Sequence, residues 1–420
     1  MTSYISIKAN PIVRGTIHEL SSSKSISNRA LLLQALSGNQ STVSNLSVAR
    51  DTQLMKKLVG STEKTIDVMD AGTTMRFLTA YFALTVKNKI LTGTDRMKER
   101  PIGLLVDALR KLGATISYLD KEGYPPVETM GFEKQLTNQL EIPGNVSSQY
   151  ISALMMVAPT LPNGLTINLK GEVGSVPYIR MTAALMKEFG VEAVLDFENY
   201  VVRVPSSKFK VADVTVEADW SSASYWFGFT ALAKEAEIVL PNVSEKSLQG
   251  DRVIVEIMDK LGVQSVFENV NIRLTKKECD KHIRWDFRDC PDLAQTVLPV
   301  CAAKGINGDF TGLESLRIKE TDRIAALQNE LSKTGSTLTE PITGNWKLET
   351  SNQQPTTNYQ QPITIHTYHD HRMAMGFAPL ATLMDLKIEA PEVVNKSYPG
   401  FWNDMRSVGF EVTSLTESPQ

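Results

Sequence analysis

Apolar and polar positions along the chain repeat one kind of helix ending. An amphipathic stretch closes on a basic or small residue, one apolar residue, and then glycine. Copies of this ending reach Gly60, Gly113, Gly190, Gly262, Gly335 and Gly409. Glycine after the last helical turn is typical of a left-handed C-cap, and a basic residue in that turn interacts favourably with the helix dipole. Each copy therefore predicts the end of a helix.

The spacing of these glycines predicts the architecture. Successive glycines are 53, 77, 72, 73 and 74 residues apart, so six units of about 70 residues account for the chain. The first interval is short by about 20 residues. Alternating apolar residues at 114–119, 191–197 and 263–268 predict strands directly after three of the helices. Because 420 residues exceed one ordinary core, we predict an α/β protein with three units in each of two domains.

Composition narrows the possible partners and compartment. The chain has 44 basic and 47 acidic residues, a net charge of −3, so neither nucleic acid nor a membrane is an expected partner. Three cysteines without a CxxC pair, Cys279, Cys290 and Cys301, favour a reducing compartment. The N-terminus has no signal-peptide character and no apolar run reaches eighteen residues, so a cytoplasmic location is expected. The polar segment 350–362 is predicted to be a surface loop between two strands.

Hydroxyl and basic residues gather where helices are predicted to begin. The stretch SSSKSISNR (21–29) directly precedes the apolar run ALLLQAL. Similar groups occur in DAGTTMRFL (70–78), TDRMKERPIG (94–103), NVSSQYISALMM (145–156) and SVPYIRM (175–181). Each has two interpretations, an N-cap with surplus donors or a binding site for an anion at the helix start. Three cations before Pro101 oppose the helix dipole, which favours the anion site there.

Two further segments pair carboxylates with helix starts or cations. In LRIKETDRIAALQNEL (316–331), Glu320 lies among Lys319 and Arg323. The segment is either a solvated face with salt bridges or a carboxylate that exchanges protons beside a bound anion. Asp292, in RDCPDLAQTVLPV (288–300), is a helix cap by the simpler interpretation.

The histidine-rich segment HTYHDHRMAMG (366–376) allows a metal site or an anion site. Metal ligands converge from i,i+4 helical positions or from a tight loop. If the segment ends a strand, His369 and His371 share one face and His366 faces the other. We therefore favour an anion contact by His371 and Arg372 before a helix. Lys396, in VVNKSYPGFW, is by itself an ordinary surface lysine.

Taken in order, these segments resemble the signatures of the 5-enolpyruvylshikimate-3-phosphate (EPSP) synthase family of enolpyruvyl transferases. The resemblance runs end to end and is most specific in SKSISNRALLLQAL, RIKETDRIAAL, HDHRMAMGFA and NKSYPGF. It implies two similar domains, each of three βαββαβ units, in the fold known as an inside-out barrel, with ligands in the cleft between them. The implied domains are residues 21–217 and residues 1–20 with 218–420.

The resemblance also implies a reaction. The enolpyruvyl group of phosphoenolpyruvate moves to the 5-hydroxyl of shikimate 3-phosphate, phosphate is released, and the path is addition then elimination through a tetrahedral intermediate. This is a step of the shikimate pathway toward chorismate and the aromatic amino acids. No metal, cofactor or covalent enzyme intermediate is implied, and we expect a monomer.

Residue roles follow from the resemblance, position by position. Asp292 is the implied base at the 5-hydroxyl, with Glu320 and Lys24 as proton-transfer partners. Residues implied to hold shikimate 3-phosphate are Lys24, Ser25, Arg29, Ser147, Ser148, Gln149, Ser175, Tyr178, Asp292, Ser315 and Lys319. Residues implied to hold phosphoenolpyruvate are Lys24, Gly72, Arg100, Gln149, Arg323, His371, Arg372 and Lys396.

The chain departs from the family pattern at four places. Ser23 stands where glycine is usual, Asp70 where asparagine is usual, and Ser315 where many members have asparagine. The short first unit predicts a lost β-hairpin. Glyphosate, an inhibitor of this family, is expected to compete with phosphoenolpyruvate, because glycine at position 72 leaves room that a larger residue would take from the inhibitor. Asp70 adds a negative charge nearby.

Two other functions remain possible at this point. One is the sister enzyme that transfers enolpyruvate to UDP-N-acetylglucosamine. That family carries a cysteine on a glycine-rich loop, whereas this chain has RMKERP and no cysteine between residues 90 and 125. The other is a non-catalytic, anion-binding relative, which the presence of Lys24, Asp292, Glu320 and Arg323 together disfavours.

Overall fold

The computed structural model describes residues 2–85, 88–350 and 362–417. The chain forms two compact units, which we name the discontinuous unit (Met1–Ser22 with Glu217–Gln420) and the continuous unit (Ser23–Val216). Apart from its two end residues, the predicted surface loop at 350–362 lies outside the described residues.

The α-helices are numbered along the chain. In the described residues they are α1 Lys24–Leu36, α2 Arg50–Val59, α3 Gly72–Thr85, α4 Asp95–Lys98, α5 Gly103–Leu112, α6 Ser148–Val157, α7 Val176–Glu188, α8 Trp220–Leu232, α9 Ile254–Lys260, α10 Ala294–Lys304, α11 Arg323–Ser332, α12 His371–Phe377 and α13 Phe401–Ser407. Short 3₁₀ turns occur at Pro291–Leu293, Glu314–Ile318 and Pro391–Lys396, among others.

The strands of the described residues are numbered in the same way. They are β1 Thr2–Ile7, β2 Ile12–Thr16, β3 Thr42–Ser44, β4 Thr65–Asp67, β5 Lys89–Thr92, β6 Ala114–Tyr118, β7 Val127–Phe132, β8 Gln139–Pro143, β9 Leu165–Lys170, β10 Val194–Asp196, β11 Val201–Val204, β12 Asp213–Thr215, β13 Glu235–Leu240, β14 Val263–Glu268, β15 Asn271–Lys276, β16 His282–Asp286, β17 Asn307–Thr311, β18 Ser336–Ile342, β19 Asn345–Thr350, β20 Ile363–Ile365, β21 Leu386–Glu389 and β22 Val412–Glu417.

One folding motif recurs in both units. A strand, a helix and a parallel strand are followed by a second helix and a β-hairpin, as in β16, α10, β17, α11 and the hairpin β18–β19. The same order forms the sheets β4-β5-β7-β6, β10-β11-β9-β8 and β14-β15-β13-β2. In the sheet β20-β21-β1-β22, the N-terminal strand β1 supplies one strand of the hairpin, because it pairs with both β21 and β22. The mixed α/β prediction is therefore confirmed. The order within the motif is βαβαββ and not the implied βαββαβ, because the second helix precedes the hairpin.

The first motif of the continuous unit is shorter than the others. Its parallel pair is β12 and β3, and the chain then runs through α2 directly into β4 of the next motif. Among the described residues this sheet has two strands where the others have four. The prediction that the short first interval lacks a β-hairpin is confirmed.

The core of each unit is formed around the first helix of each motif. In the discontinuous unit α10 packs between α8 and α12, and in the continuous unit α3, α6 and α1 pack together. Helix α8 is buried on all sides, and its Trp226 stacks on Phe229 with ring centroids 5.0 Å apart. A helix that is apolar all round is stable only inside a core. The starts of these buried helices carry most of the predicted site residues.

Five of the six predicted cap glycines adopt the left-handed backbone. Their φ angles are 116° at Gly113, 79° at Gly190, 94° at Gly262, 77° at Gly335 and 99° at Gly409. Gly60 is the exception, with φ −100°. There α2 ends in a tight turn in which Leu58 O accepts from the backbone N–H groups of Gly60 and Ser61, so no positive φ is needed.

The strands predicted after the helices are present. Residues 263–268 form β14, residues 114–118 form β6, and β10 occupies the middle of the predicted 191–197 segment.

Within the described ranges, no helix combines the length and the apolar character needed to cross a bilayer.

Candidate active site

The opening stretch forms the start of the buried helix α1. Ser23 is buried, has φ −60° and ψ 113°, and its Oγ faces the N–H of Ile26 at 3.4 Å. Because this backbone conformation is open to any residue, serine replaces the expected glycine without strain. Lys24, the first residue of α1, places its Nζ 3.3 Å from Oδ2 of Asp51. Asp51 is a partner that sequence reasoning missed.

Arg29 lies one turn further into α1 and is 2% exposed. Its Nε donates to Thr182 Oγ1 at 2.7 Å, Nη1 to Ser25 O at 2.9 Å, and Nη2 to Ser152 Oγ at 3.1 Å. The guanidinium also lies 5.7 Å from the ring centroid of Tyr178. Burial lowers the pKa of Arg29 to about 10, so the group is still charged at neutral pH. Ser152 and Thr182 were not predicted as site residues.

The start of α3 brings two arginines together at Gly72. A methyl group on Gly72 would lie 2.6 and 2.7 Å from the two Nη atoms of Arg100 and 2.7 Å from Nη1 of Arg76. Arg76 also donates to Gly72 O at 2.8 Å. Arg100 is buried, and its Nε has no hydrogen-bond partner among the described residues. Two guanidinium groups this close favour an anion between them and the helix start. Arg76, missed earlier, is signalled by its place one helical turn after Gly72.

The starts of α6 and α7 supply hydroxyl and amide groups. Ser147 caps α6, its Oγ 3.4 Å from the N–H of Gln149, so capping accounts for one serine of this cluster. Ser148 is buried, and Gln149 Nε2 donates to Thr73 Oγ1 at 3.0 Å. Ser175 precedes α7 with φ 55° and makes no side-chain cap bond. A left-handed non-glycine residue at a helix start is often part of a binding site.

In the discontinuous unit, Asp292 lies within a cluster of cations. Its Oδ1 is 2.8 Å from Nη1 of Arg323 and 3.8 Å from Nζ of Lys319, and its Oδ2 is 2.9 Å from Nη2 of Arg372. Burial alone would raise the pKa of Asp292, but Arg372, Lys319 and Arg323 outweigh it and hold this pKa well below the ordinary carboxyl value. Asp292 makes no side-chain cap bond at the start of the Pro291–Leu293 turn or of α10, so the helix-cap interpretation is wrong. The residue is instead an ionised carboxylate surrounded by positive charge.

Glu320 joins this cluster through two contacts. Its Oε2 is 2.9 Å from Nη2 of Arg323, and its Oε1 is 3.7 Å from Nζ of Lys396. Lys396 is buried, so the interpretation as a surface lysine is wrong. Burial lowers the pKa of Lys319, and the cations Arg323 and Arg372 lower it further, while Asp292 and Glu320 oppose the shift. The solvated-face interpretation of the KETDR segment is likewise wrong for Arg323, which is 2% exposed.

The histidine-rich segment is a turn followed by a helix, because β20 ends at Ile365 and α12 begins at His371. The strand-end geometry considered for the three histidines is therefore not adopted. His366 Nδ1 lies 2.9 Å from Glu389, and His371 is buried beside Asp370. Among the described residues no group of three or more His, Cys, Asp or Glu has the spacing of a metal site.

The guanidinium of Arg372 also donates hydrogen bonds to residues that the sequence did not single out. Its Nη1 donates to the hydroxyl of Tyr225 at 3.4 Å and its Nη2 to Ser221 Oγ at 3.3 Å. Ser221 in turn donates to the buried carboxyl of Asp251. Burial, with the nearby charge of Asp292, raises the pKa of Asp251 to about 7. In the sequence, Ser221, Tyr225 and Asp251 carried no signal of their own.

Two residues that depart from the family pattern have simple surroundings. Ser315 is exposed within the 3₁₀ turn Glu314–Ile318. Asp70 is not an isolated negative charge, because its Oδ1 lies 2.6 Å from Nη2 of Arg50.

The charges of each cluster fit anionic ligands. In the continuous unit, four cations accompany one carboxylate, namely Lys24, Arg29, Arg76 and Arg100 with Asp51. In the discontinuous unit, four cations accompany three carboxylates, namely Lys319, Arg323, Arg372 and Lys396 with Asp292, Glu320 and Asp370. The first cluster keeps a positive excess in a chain of net charge −3. The second cluster keeps one while Asp251, whose pKa is raised to about 7, is protonated, and it is balanced when Asp251 ionises.

A family model described as EPSP synthase (3-phosphoshikimate 1-carboxyvinyltransferase) matches residues 7–62 and 59–405. The chain belongs to the EPSP synthase family. It is 46% identical to the 3-phosphoshikimate 1-carboxyvinyltransferase of Bacteroides fragilis (strain YCH46), over 95% of this chain and 96% of that protein. It is 35% identical to the enzyme of the same name from Methanospirillum hungatei, over 92% of this chain and 94% of that protein.

The fold agrees with that of solved EPSP synthases. An EPSP synthase from Acinetobacter baumannii superposes with a TM-score of 0.76, at 19% identity, over 98% of this chain and 100% of that one. At that identity the likeness concerns the fold. These comparisons confirm the predicted family, the two-domain inside-out fold and the enzyme class, and they do not favour the UDP-sugar enzyme.

Proposed function

We propose that this EPSP synthase transfers the enolpyruvyl group of phosphoenolpyruvate to the 5-hydroxyl of shikimate 3-phosphate and releases phosphate. Family membership and the names of its relatives support the reaction. The observation that carries the residue assignment is the ion cluster around Asp292, with Arg323, Arg372 and Lys319 within 3.8 Å. A proton acceptor placed among cations suits chemistry on two anionic substrates.

The addition step needs one base and one acid. The oxygen of the 5-hydroxyl attacks C2 of phosphoenolpyruvate while Asp292 takes the hydroxyl proton. An acid, Glu320 or Lys24, donates a proton to C3, so that the methylene group becomes a methyl group and C2 becomes tetrahedral. Because a proton enters as another leaves, no net charge builds up beyond that of the substrates.

The elimination step reverses the proton transfer at carbon. Phosphate leaves C2 with the bonding electrons and takes up the proton that Asp292 holds, which restores the base. The methyl group returns one proton to the group that supplied it, which restores the double bond. The cations Arg100, Arg323 and Arg372 stabilise the departing phosphate and the carboxylate of the enolpyruvyl group.

The depressed pKa of Asp292 explains when it becomes a base. In the cluster alone, Arg372, Lys319 and Arg323 stabilise the carboxylate so strongly that it holds a proton poorly. The phosphate and carboxylate groups of the two substrates compensate those cations, which raises the pKa of Asp292. On this proposal Asp292 gains its basicity only after both anions are bound.

The remaining assignments divide the residues by ligand. For shikimate 3-phosphate we propose Ser147, Ser148 and Ser175 at the phosphate, at the starts of α6 and α7. The other proposed contacts to this substrate are Lys24, Ser25, Arg29, Gln149, Tyr178, Asp292, Ser315 and Lys319. For phosphoenolpyruvate we propose Lys24, Gly72, Arg100, Gln149, Arg323, His371, Arg372 and Lys396. We further propose that the enzyme acts as a cytoplasmic monomer without a cofactor.

The test is an assay of phosphate release with purified protein. Shikimate 3-phosphate and phosphoenolpyruvate together should yield phosphate and 5-enolpyruvylshikimate 3-phosphate, with UDP-N-acetylglucosamine as the control acceptor. No phosphate with shikimate 3-phosphate, or equal release with the UDP-sugar, contradicts the proposal.

A further inference from the structure

The turn that leads into α12 has an unfavourable backbone. Tyr368 and His369 are consecutive non-glycine residues with φ 53° and φ 56°. Side-chain crowding makes the left-handed conformation unfavourable for each such residue. A turn of this kind persists only where surrounding contacts hold it. Asp370, His371 and Arg372 follow directly, so the turn sets the position of their side chains.

The contacts that hold this turn converge on Glu330. Its carboxylate is 0% exposed. Oε1 accepts from the hydroxyl of Tyr368 at 2.9 Å, and Oε2 accepts from the backbone N–H of His366 at 3.2 Å. Lys333 lies 2.6 Å from Oε2 and also donates to Thr364 O at 2.9 Å. A buried carboxylate needs such partners, so Glu330 and the turn fix each other.

The same helix fastens the other end of the turn. Arg323 and Glu330 are seven residues apart in α11, two helical turns, and therefore lie on one face. Arg323 binds Asp370 through Nε and Nη2, and Asp370 Oδ1 accepts from the backbone N–H of Arg372 at 2.9 Å. One face of α11 thus holds residues 366–370 at both ends, and neither Glu330 nor Tyr368 belongs to the proposed substrate contacts.

We propose that Glu330, acting with Tyr368, is a positioning residue that holds the 366–370 turn so that His371 and Arg372 face phosphoenolpyruvate. The inference rests on the proposed function, which assigns His371 and Arg372 to that substrate. Groups that bind an anion must be held to a fraction of an ångström, and hydrogen bonds behind them provide that precision. A turn with two left-handed residues has alternatives of lower backbone energy, and Glu330 excludes them.

Steady-state kinetics on variants of the full chain test the inference. Glu330→Ala should raise the KM for phosphoenolpyruvate about 10-fold and lower kcat, because the turn loses both side-chain oxygens. Glu330→Gln keeps one acceptor oxygen and should give a smaller rise, about 3-fold, as should Tyr368→Phe. The KM for shikimate 3-phosphate should change less than 2-fold in all three variants, since its proposed contacts lie outside the turn.

A matched control separates positioning from stability. Leu331 is adjacent to Glu330 in α11 and fully buried, so Leu331→Ala weakens the same helix without touching the turn. Thermal melting should show Leu331→Ala to be as destabilised as the Glu330 variants, with the KM for phosphoenolpyruvate unchanged. An equal rise in that KM for Leu331→Ala overturns the inference.

Two further outcomes keep the test decisive. If Glu330→Ala does not fold, Glu330→Gln and Tyr368→Phe carry the test, and unchanged kinetics in both overturn the inference. Arg372→Lys distinguishes a failure of the proposed phosphoenolpyruvate site from a failure of the proposed role of Glu330. An unchanged KM for phosphoenolpyruvate in Arg372→Lys contradicts the proposed site itself. A raised KM there, with normal Glu330 variants, contradicts only the role of Glu330.

Discussion

Asp370 holds Arg323 with both carboxylate oxygens, Oδ2 at 2.6 Å from Nε and Oδ1 at 3.3 Å from Nη2. Both side chains are buried, so the guanidinium plane is fixed. Its Nη1 is then free to bind Asp292, at 2.8 Å. The orientation of the proposed base therefore depends on a carboxylate in the segment that the sequence also allowed as a metal site.

Removal of the Asp292 carboxylate should abolish most activity. Asp292→Ala leaves no acceptor for the 5-hydroxyl proton, so kcat should fall on the order of 10³-fold. Folding should be retained, because Arg323 still has Asp370 and Glu320 as partners. Phosphate release measures kcat, and circular dichroism checks the fold. A well-folded Asp292→Ala enzyme with near-normal turnover excludes Asp292 as the base.

Asp251 should make stability fall as pH rises. Its pKa is raised from 3.8 to about 7 in the folded chain, so the folded state binds a proton that the unfolded state has released between those values. Stability is therefore lost from about pH 4 to pH 7, by an amount on the order of 4 kcal/mol, and is then constant. Asp251→Asn mimics the protonated carboxyl and should remove this loss.

The measurement is urea unfolding of both proteins across that pH range. The stability of Asp251→Asn relative to the wild type should grow with pH and level off near pH 7. Ser221→Ala serves as the comparison, since it removes the hydrogen bond to Asp251 but keeps the titrating group. A difference that is independent of pH shows that Asp251 has an ordinary pKa.

Exchange of hydrogen at C3 should identify the acid. In D₂O, repeated addition and elimination places deuterium in the methylene group of phosphoenolpyruvate. Glu320 contacts Arg323 and Lys396, and Lys24 contacts Asp51. We expect Glu320→Gln to lose deuterium incorporation at saturating substrate, and Lys24→Met to raise the KM for phosphoenolpyruvate while exchange persists. Mass spectrometry of recovered substrate distinguishes them, and the opposite pattern assigns the acid to Lys24.

A methyl group at residue 72 should reach the arginines before it reaches any ligand. In Gly72→Ala the new Cβ would lie 2.6 Å from Arg100 Nη1, which forces the guanidinium to move. We expect the KM for phosphoenolpyruvate to rise about 10-fold. We also expect glyphosate to compete with phosphoenolpyruvate in the wild type, and its inhibition constant to rise more than that KM in Gly72→Ala. Inhibition titrations at several phosphoenolpyruvate concentrations measure both. Unchanged constants would show that Arg100 does not touch the ligand.

The sequence predicted what depends on local backbone chemistry. C-cap glycines and their spacing can be read directly from the sequence. They predicted the five left-handed glycines, the strands that follow three of the helices, and the lost hairpin. The exception, Gly60, has an open environment and closes its helix with ordinary φ. Gly60 matches the sequence pattern without adopting the left-handed backbone, and nothing in the neighbouring sequence distinguishes it from the other five glycines.

The partners of the predicted site residues were not predictable in the same way. Asp251 and Asp370 approach Arg372 and Arg323 from distant segments, so their roles depend on tertiary contacts. Glu330 shows the same limit, because on a helix of mixed polarity one buried glutamate resembles its exposed neighbours. The partners of Glu330 become evident from the folded 366–370 turn. Charged residues that act through other residues leave no pattern in the sequence.

The pair Arg50–Asp70 should cancel the charge that Asp70 brings to the start of α3. Their side chains are 2.6 Å apart and partly exposed, so the pair contributes at most about 1 kcal/mol to stability. Asp70 lies two residues before Gly72, where the arginines converge. Arg50→Ala leaves Asp70 without this neutralising cation, and its negative charge then opposes an anion at the helix start. We expect the KM for phosphoenolpyruvate to rise about 3-fold at low salt and less at high salt.

Asp70→Asn is the matched variant, because it removes the negative charge and leaves Arg50 in place. Its KM for phosphoenolpyruvate should stay within about 2-fold of the wild type or fall slightly, since the pair was already neutral. The double variant Arg50→Ala with Asp70→Asn should return to the wild-type value, because the negative charge is removed together with the positive one. If the double variant keeps the raised KM of Arg50→Ala, then Arg50 acts on the ligand directly and not through Asp70.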